Sequence, residues 1–229
     1  IQFRTLRSVY NKAIKRKCVG KEYYPFEDFH INKFNVHTDK RAISKNDVLK
    51  IISADLTVKS EYVKFSRDIF VFSYLCGGIN FCDVASLTKE NILNGRLFYV
   101  RQKTGKQINL CLTKNASAII DKYYKGGKGF LFPILDVTRH ITATQRENRL
   151  HKVLGQVDKS LKIVAQIAKV DVNLTTYVAR HSYATVLKRS GVPTSIICES
   201  LGHSSERVTQ IYLDSFENEQ IDEAMKNLL

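Results

Sequence analysis

LTTYVARHSYATVLKRSGVPTSIICESLGHSSERVTQIY, the stretch from Leu174 to Tyr212, decides how this chain folds and what it can do. Either Thr175 or Thr176 can N-cap the helix that follows, its hydroxyl accepting from one of the unpaired N–H groups of the first turn. On that helix Tyr177, Arg180, His181 and Ala184 fall at i, i+3, i+4 and i+7 and so share one face. Gly191 closes it, and Pro193 suits the first turn of a second short helix, Thr194 to Leu201. Gly202 ends that helix and leaves His203 on a tight corner. Ser204 or Ser205 can cap a third helix carrying Val208, Ile211 and Tyr212. Polar residues at helix starts and corners, backed by apolar faces, suit a rigidly held site.

Upstream, Leu150, Val153, Leu154, Val157, Leu161, Val164 and Ile167 form a long helical stripe from Gln145 to Lys169, with Gly155 as a candidate kink. Phe130 to Phe132 reads as a brief strand before Pro133, and Asn115 to Tyr124 as a helix stopped by Gly126-Gly127. From Arg96 to Leu112 the period changes. Leu97, Tyr99, Arg101 and Lys103 alternate with Phe98, Val100 and Gln102, Thr104-Gly105 turns the chain, and Ile108, Leu110 and Leu112 alternate again. That pattern predicts a hairpin. Ser44 with Asp47 opens a helix as a variant capping box, and Phe65, Ile69, Phe72 and Cys76 mark a second from Ser60 to Leu75. Gly77-Gly78 breaks it, and a short helix runs from Phe81 to Leu87. Ile1 to Cys18 is a basic amphipathic helix, and Val19 to Ile43 has no sustained period. Beyond Tyr212, Ser215 starts a last helix with Ile221, Met225 and Leu228 on one side.

The 229 residues carry 36 Lys and Arg against 22 Asp and Glu, a formal charge of +14. Such a balance marks a polyanion partner, nucleic acid first. The basic residues are dispersed rather than gathered on one amphipathic helix, which disfavours a membrane surface. No apolar run is long enough to cross a bilayer. The five cysteines are scattered and lack metal-ligand spacing, so they read as reduced, mostly buried thiols of an intracellular, cytoplasmic protein. A first residue of Ile rather than Met points to a piece of a longer protein.

Arg-His on a helix, then Leu-Gly-His, then Tyr nine residues after that histidine resembles the C-terminal signature of the tyrosine recombinases, the phage-integrase family. The match rests on Ala179-Arg180-His181-Ser182, Leu201-Gly202-His203 and Tyr212. Each piece alone is weak; their order and spacing carry the resemblance. It implies a mainly α-helical fold with a small antiparallel β-sheet. It also implies that residues 44–229 are the catalytic domain, 19–43 an interdomain linker, and 1–18 the last helix of a truncated core-binding domain.

By the same resemblance, the activity is site-specific DNA cleavage and rejoining through a 3′-phosphotyrosine, with no ATP, metal or other cofactor. No Walker sequence, carboxylate cluster or His/Cys cage is present in the sequence. The chemistry is demanding: a phenol of pKa about 10 must ionise, and a phosphorane-like transition state needs fixed cations and a proton for the leaving oxygen. Tyr212 matches the nucleophile, and Arg180 the second family arginine, whose fork holds two phosphate oxygens. His203 matches the histidine that binds the same phosphate, and Lys103 the hairpin lysine that protonates the 5′-oxygen.

Two positions depart from the pattern. Aligning Asp83 and Leu87 with the segment that bears the first family arginine puts the neutral Asn80 in its place. Tyr177 stands three residues before Arg180, where the family has histidine, and a phenol is a poor proton acceptor near neutral pH. The strand alternation puts Arg101 on the same face as Lys103, which makes Arg101 the surrogate for the missing cation. These departures place the sequence closest to integrases of conjugative or mobilisable elements that lack the first arginine. The expected partners are double-stranded DNA, further copies of the chain in a tetramer on that DNA, and accessory DNA-bending proteins. The alternatives are a catalytically impaired DNA-binding relative with a regulatory role, and a helix-turn-helix regulator built on Tyr177 to Leu201.

Overall fold

A computed structural model describes residues 2–29, 42–127, 129–210 and 213. The chain divides into two compact units, Ile1–Asp39 and Lys40–Leu229.

In the first unit, α1 (Gln2–Lys15) buries no residue completely. Residues 20–29, assigned above to the linker, form a 3-10 turn at Lys21–Tyr23 and an aromatic cluster with α1. Phe26 is its centre, with its ring 6.1 Å from that of Tyr10 and 6.3 Å from that of Phe29.

The second unit is built on α3 (Glu61–Leu75), which follows α2 (Lys45–Ser53) and is capped by Ser60 accepting from the Val63 N–H. Val63, Phe65, Ile69, Phe70, Val71 and Phe72 are all buried, so this helix is apolar around most of its circumference. That is the pattern of a central helix rather than a surface one. It packs against α6 (Ala143–Ile167) and α7 (Thr176–Arg189), and less extensively against α2 and α5 (Lys114–Tyr123). One acid is buried among these residues. Asp68 accepts from Arg67 Nε, Lys122 Nζ and the Tyr123 hydroxyl at 2.7–2.8 Å, so its charge is fully met while it ties α3 to α5.

Past Gly77-Gly78, α4 (Phe81–Ser86) leads into a three-stranded antiparallel sheet of β1 (Ile92–Leu93), β2 (Arg96–Val100) and β3 (Gln107–Cys111), in the order β1-β2-β3. Leu97 opposes Leu110 and Tyr99 opposes Ile108, and this inward face is largely buried, as the alternation predicts. The mainly helical fold with one small antiparallel sheet is therefore as expected.

Some expectations fail locally. Phe130 makes only an isolated bridge to Thr88, not a strand. Helix α6 runs unbroken through Gly155, which lies on its exposed side, where a missing side chain opens no gap in the packing. Two cysteines, Cys76 and Cys198, are buried, while Cys18 and Cys111 are exposed. The final helix expected after Ser215 lies outside the described residues. Among the described residues no helix is long and apolar enough to cross a membrane.

Candidate active site

Helix α7 starts where the sequence places it, but its cap is not its own. Thr175 occupies the N-cap position without a side-chain hydrogen bond. The N–H of Thr176 donates instead to Asp158 Oδ1 on α6, at 2.9 Å. A carboxylate at a helix N-terminus also suits the helix dipole. One turn on, Arg180 is 1% exposed. Its Nη1 donates to Gly78 O at 2.8 Å, and its Nη2 donates to Leu201 O and lies 3.0 Å from His203 Nε2. Gly78 has φ +64°, and a Cβ there would stand 2.8 Å from the Arg180 Cα. Only glycine lets the α3–α4 corner lie this close to α7.

The corner that receives Arg180 follows α8 (Thr194–Ser200). Gly202, at φ +61°, is in the left-handed conformation, with its N–H on Glu199 O and the His203 N–H on Cys198 O. These two bonds are the Schellman closure expected of a glycine after a helix. They hold the His203 ring inward, 2% exposed. Its Nδ1 lies 2.9 Å from Thr209 Oγ1 on α9 (Glu206–Gln210).

The turn after β2 approaches the same corner, in a way that corrects the alternation argument. The strand stops at Val100, and the carbonyl of Arg101 accepts from the N–H groups of Thr104 and Gly105. Arg101 and Lys103 therefore do not share a strand face. Arg101 turns inward and is 3% exposed, with Nη1 donating to Gly202 O at 2.8 Å. Thr104 Oγ1 donates to the same oxygen at 3.1 Å. Lys103 stays exposed on the turn.

Electrostatics follow from this crowding. Burial lowers the His203 pKa from 6.5 to about 4, and Arg180, Arg101, Lys103 and Lys106 push in the same direction. The imidazole is therefore neutral at pH 7. Asp83 on α4 accepts from the Gln102 N–H at 3.1 Å, which anchors the first residue of the turn. Burial raises its pKa, against that hydrogen bond and the nearby Arg101 and Arg180 charges. Asp83 Oδ2 and Arg101 Nε find no hydrogen-bond partner among the described residues.

Of the residues singled out from sequence, Arg180, His203 and Arg101 meet directly at the Leu201–His203 corner, and Lys103 reaches it through its charge. Tyr177, 39% exposed in the first turn of α7, sets its ring edge-on to that of His181, with centroids 4.7 Å apart. Asn80 is the half-buried N-cap of α4. Tyr212 lies outside the described residues. Sequence reading missed Thr209, Thr104, Asp158 and the bond from Asp83 to the turn. None of them has a motif of its own, since each acts through a partner distant in the chain or across a corner.

Comparison with known proteins agrees with this architecture. Residues 41–219 match the Phage integrase family. Tyrosine recombinase XerA of Pyrococcus horikoshii is 26% identical over 201 residues, covering 84% of this chain and 65% of that protein. Tyrosine recombinase XerS of Streptococcus pyogenes serotype M5 is 25% identical over 171 residues, covering 71% of this chain and 45% of that protein. The chain thus spans less than two thirds of the length of either relative. Among solved structures, the Tn1549 transposon integrase in complex with a circular intermediate DNA superposes with a TM-score of 0.64 at 16% identity, covering 98% of this chain and 77% of that one. With the family's span running from before α2 to beyond Tyr212, this chain belongs to the phage integrase family.

Proposed function

We propose that this protein is a tyrosine site-specific DNA recombinase, the integrase of a mobile element, which cleaves and rejoins DNA through a 3′-phosphotyrosine. The observation that carries the reading is the convergence of Arg180, His203 and Arg101 on one buried corner, six to nine residues before Thr209 and Tyr212. The Tyr212 phenolate attacks phosphorus, the bond to the 5′-oxygen breaks, and that oxygen takes up a proton. The phenol gives up its proton to solvent, the leaving oxygen takes one from exposed Lys103, and solvent reprotonates the lysine, so the protons balance. Bond energy is kept in the phosphotyrosine, so rejoining needs no ATP.

Arg180 and Arg101 supply the cationic field for the transition state. Arg101 stands in for the arginine that Asn80 replaces, and that replacement supports grouping the chain with integrases of conjugative or mobilisable elements. Tyr177 serves as a hydrogen-bond donor rather than as a proton acceptor. Residues 44–229 form the catalytic domain and 1–18 the end of a core-binding domain, joined by 19–43. The partners are duplex DNA, three further copies of the chain in a tetramer, and accessory DNA-bending proteins, all in the cytoplasm. The +14 charge fits such a partner.

The test is a nicked suicide substrate carrying the element's own end sequence. A covalent protein–DNA band on a denaturing gel is expected, at the 3′-phosphate. DNA binding without any covalent band across the element's junction sequences would leave a binding protein instead.

A further inference from the structure

Thr209 is completely buried, and its Oγ1 meets one nitrogen of His203 while Arg180 meets the other. A guanidinium carries donors only, so in the 3.0 Å pair with Arg180 Nη2 the His203 Nε2 must be the acceptor. A neutral imidazole has one N–H, which is then on Nδ1. That N–H points at Thr209 Oγ1, 2.9 Å away, and a hydroxyl oxygen can accept it while donating its own proton elsewhere. The downward shift of the His203 pKa, from burial first and then from Arg180, Arg101, Lys103 and Lys106, agrees with a neutral ring at pH 7.

We propose that Thr209 is a positioning residue: it accepts the Nδ1–H of the His203 tautomer that Arg180 requires, and so holds the ring with its Nε2 lone pair on Arg180. The chain of effects runs from Thr209 through the imidazole to the guanidinium. The opposite tautomer would set an N–H of His203 against an N–H of Arg180, a repulsive pair at a buried site. Thr209 also acts through its backbone: the Leu213 N–H donates to its carbonyl at 3.2 Å, so one residue meets both the imidazole and Leu213. The geometry stands by itself; only the catalytic consequence rests on the strand-cleavage reading.

The test uses the full chain with 15N-labelled histidine. Long-range 1H–15N spectra at pH 7 distinguish a protonated ring nitrogen from a bare one, and the His203 signals are assigned by their loss in His203→Gln. The parent and Thr209→Ser are expected to show Nδ1 protonated and Nε2 bare. Thr209→Val, equal in shape but without an acceptor, is expected to move His203 to the Nε2–H form or a mixture. Its suicide-substrate cleavage should fall by about 10–100-fold, the range seen when a group orienting an imidazole is lost, with DNA affinity little changed. A parent protein in the Nε2–H form would overturn the proposal, as would a Thr209→Val spectrum identical to the parent's. If Thr209→Val does not fold, the parent and Thr209→Ser spectra still decide. If the expected tautomers appear but no protein cleaves DNA, the strand-cleavage reading fails and the positioning role stands.

Discussion

Arg101 and Arg180 hold neighbouring carbonyls of one corner, Arg101 through Nη1 on Gly202 O and Arg180 through Nη2 on Leu201 O. One guanidinium comes from the turn after β2 and the other from α7, so two elements far apart in sequence are pinned to the same three residues. Two buried cations this close repel each other. The carbonyl dipoles at the helix end and the nearby Asp83 offset that repulsion, and the neutral imidazole of His203 adds none. A site arranged like this has its positive field fixed before any phosphate arrives, which is the condition for strong transition-state stabilisation.

Arg101→Ala is expected to lower suicide-substrate cleavage by about 10²–10³-fold, the usual effect of removing one preorganised donor. Because Arg101 is buried, its loss also removes one of the donors to Gly202 O and leaves a gap, so a stability cost of about 1–3 kcal/mol should accompany it. Arg101→Lys keeps the charge but not the fork and should restore cleavage only in part. Cleavage by the alanine variant within a few-fold of the parent would remove Arg101 as the surrogate cation.

Gly78→Ala tests the close approach behind Arg180. The residue has φ +64°, and the added methyl would meet the Arg180 Cα at 2.8 Å and Cγ at 2.9 Å. Backbone strain and overlap act together, so thermal unfolding should show a loss of more than about 1 kcal/mol, with cleavage falling because Arg180 is displaced. Gly105, also at positive φ but with open space around it, is the control: alanine there should cost only the backbone term. Equal losses at the two positions would mean that the contact with Arg180 has no consequence.

The contrast between Arg180 and Arg101 shows what the sequence makes legible. Arg180 lies in a regular helix, where spacing alone gives its face and its neighbours, and the glycines at 191 and 202 announce where the helices stop. The helices around it follow in the same way: Ser44 caps where expected, and the helix read from Ser60 begins there, with Ser60 as its cap. Arg101 lies one residue past the end of a strand, where period-two alternation no longer applies. Its inward turn is set by the Thr104 and Gly105 N–H groups closing on its own carbonyl, and no pattern of apolar residues encodes that. Thr209 and Asp158 were hidden for a related reason. A short polar residue on a helix reads as solvated until the corner it faces is known.

Tyr212→Phe removes one hydroxyl. It is expected to abolish the covalent protein–DNA band while leaving DNA affinity and the melting temperature close to those of the parent. A persistent band would mean that another side chain is the nucleophile.

Binding to duplex DNA should weaken steeply with salt, since each neutralised phosphate contributes about −0.9 to the slope of log K against log salt. Titrations at several salt concentrations give that slope directly. A value near zero would remove DNA as the main partner of this +14 chain.

The last expectation concerns pH. His203 has a pKa of about 4 when folded, against 6.5 for an ordinary imidazole. Above about pH 6.5 both folded and unfolded chains carry it neutral, and it contributes no pH dependence. Between 6.5 and about 4 the unfolded chain binds the proton and the folded chain does not, so stability falls as pH falls. The full effect is on the order of 3 kcal/mol, reached near pH 4. Asp83 acts in the opposite sense, because burial raises its carboxyl and the folded chain takes up that proton first on the way down. The carboxylates of half-buried Asp47 and exposed Asp55, Glu61 and Asp136, lowered by their hydrogen bonds, titrate only within and below the ordinary carboxylate range. Asp83 is common to the parent and to His203→Gln, so comparing the two from pH 6.5 down to about 5 isolates His203. Urea unfolding across that window should show a stability that declines in the parent and declines less in His203→Gln, whose amide can still accept from Arg180 but takes up no proton. Parallel pH profiles for the two proteins would mean that His203 is not held neutral by its surroundings.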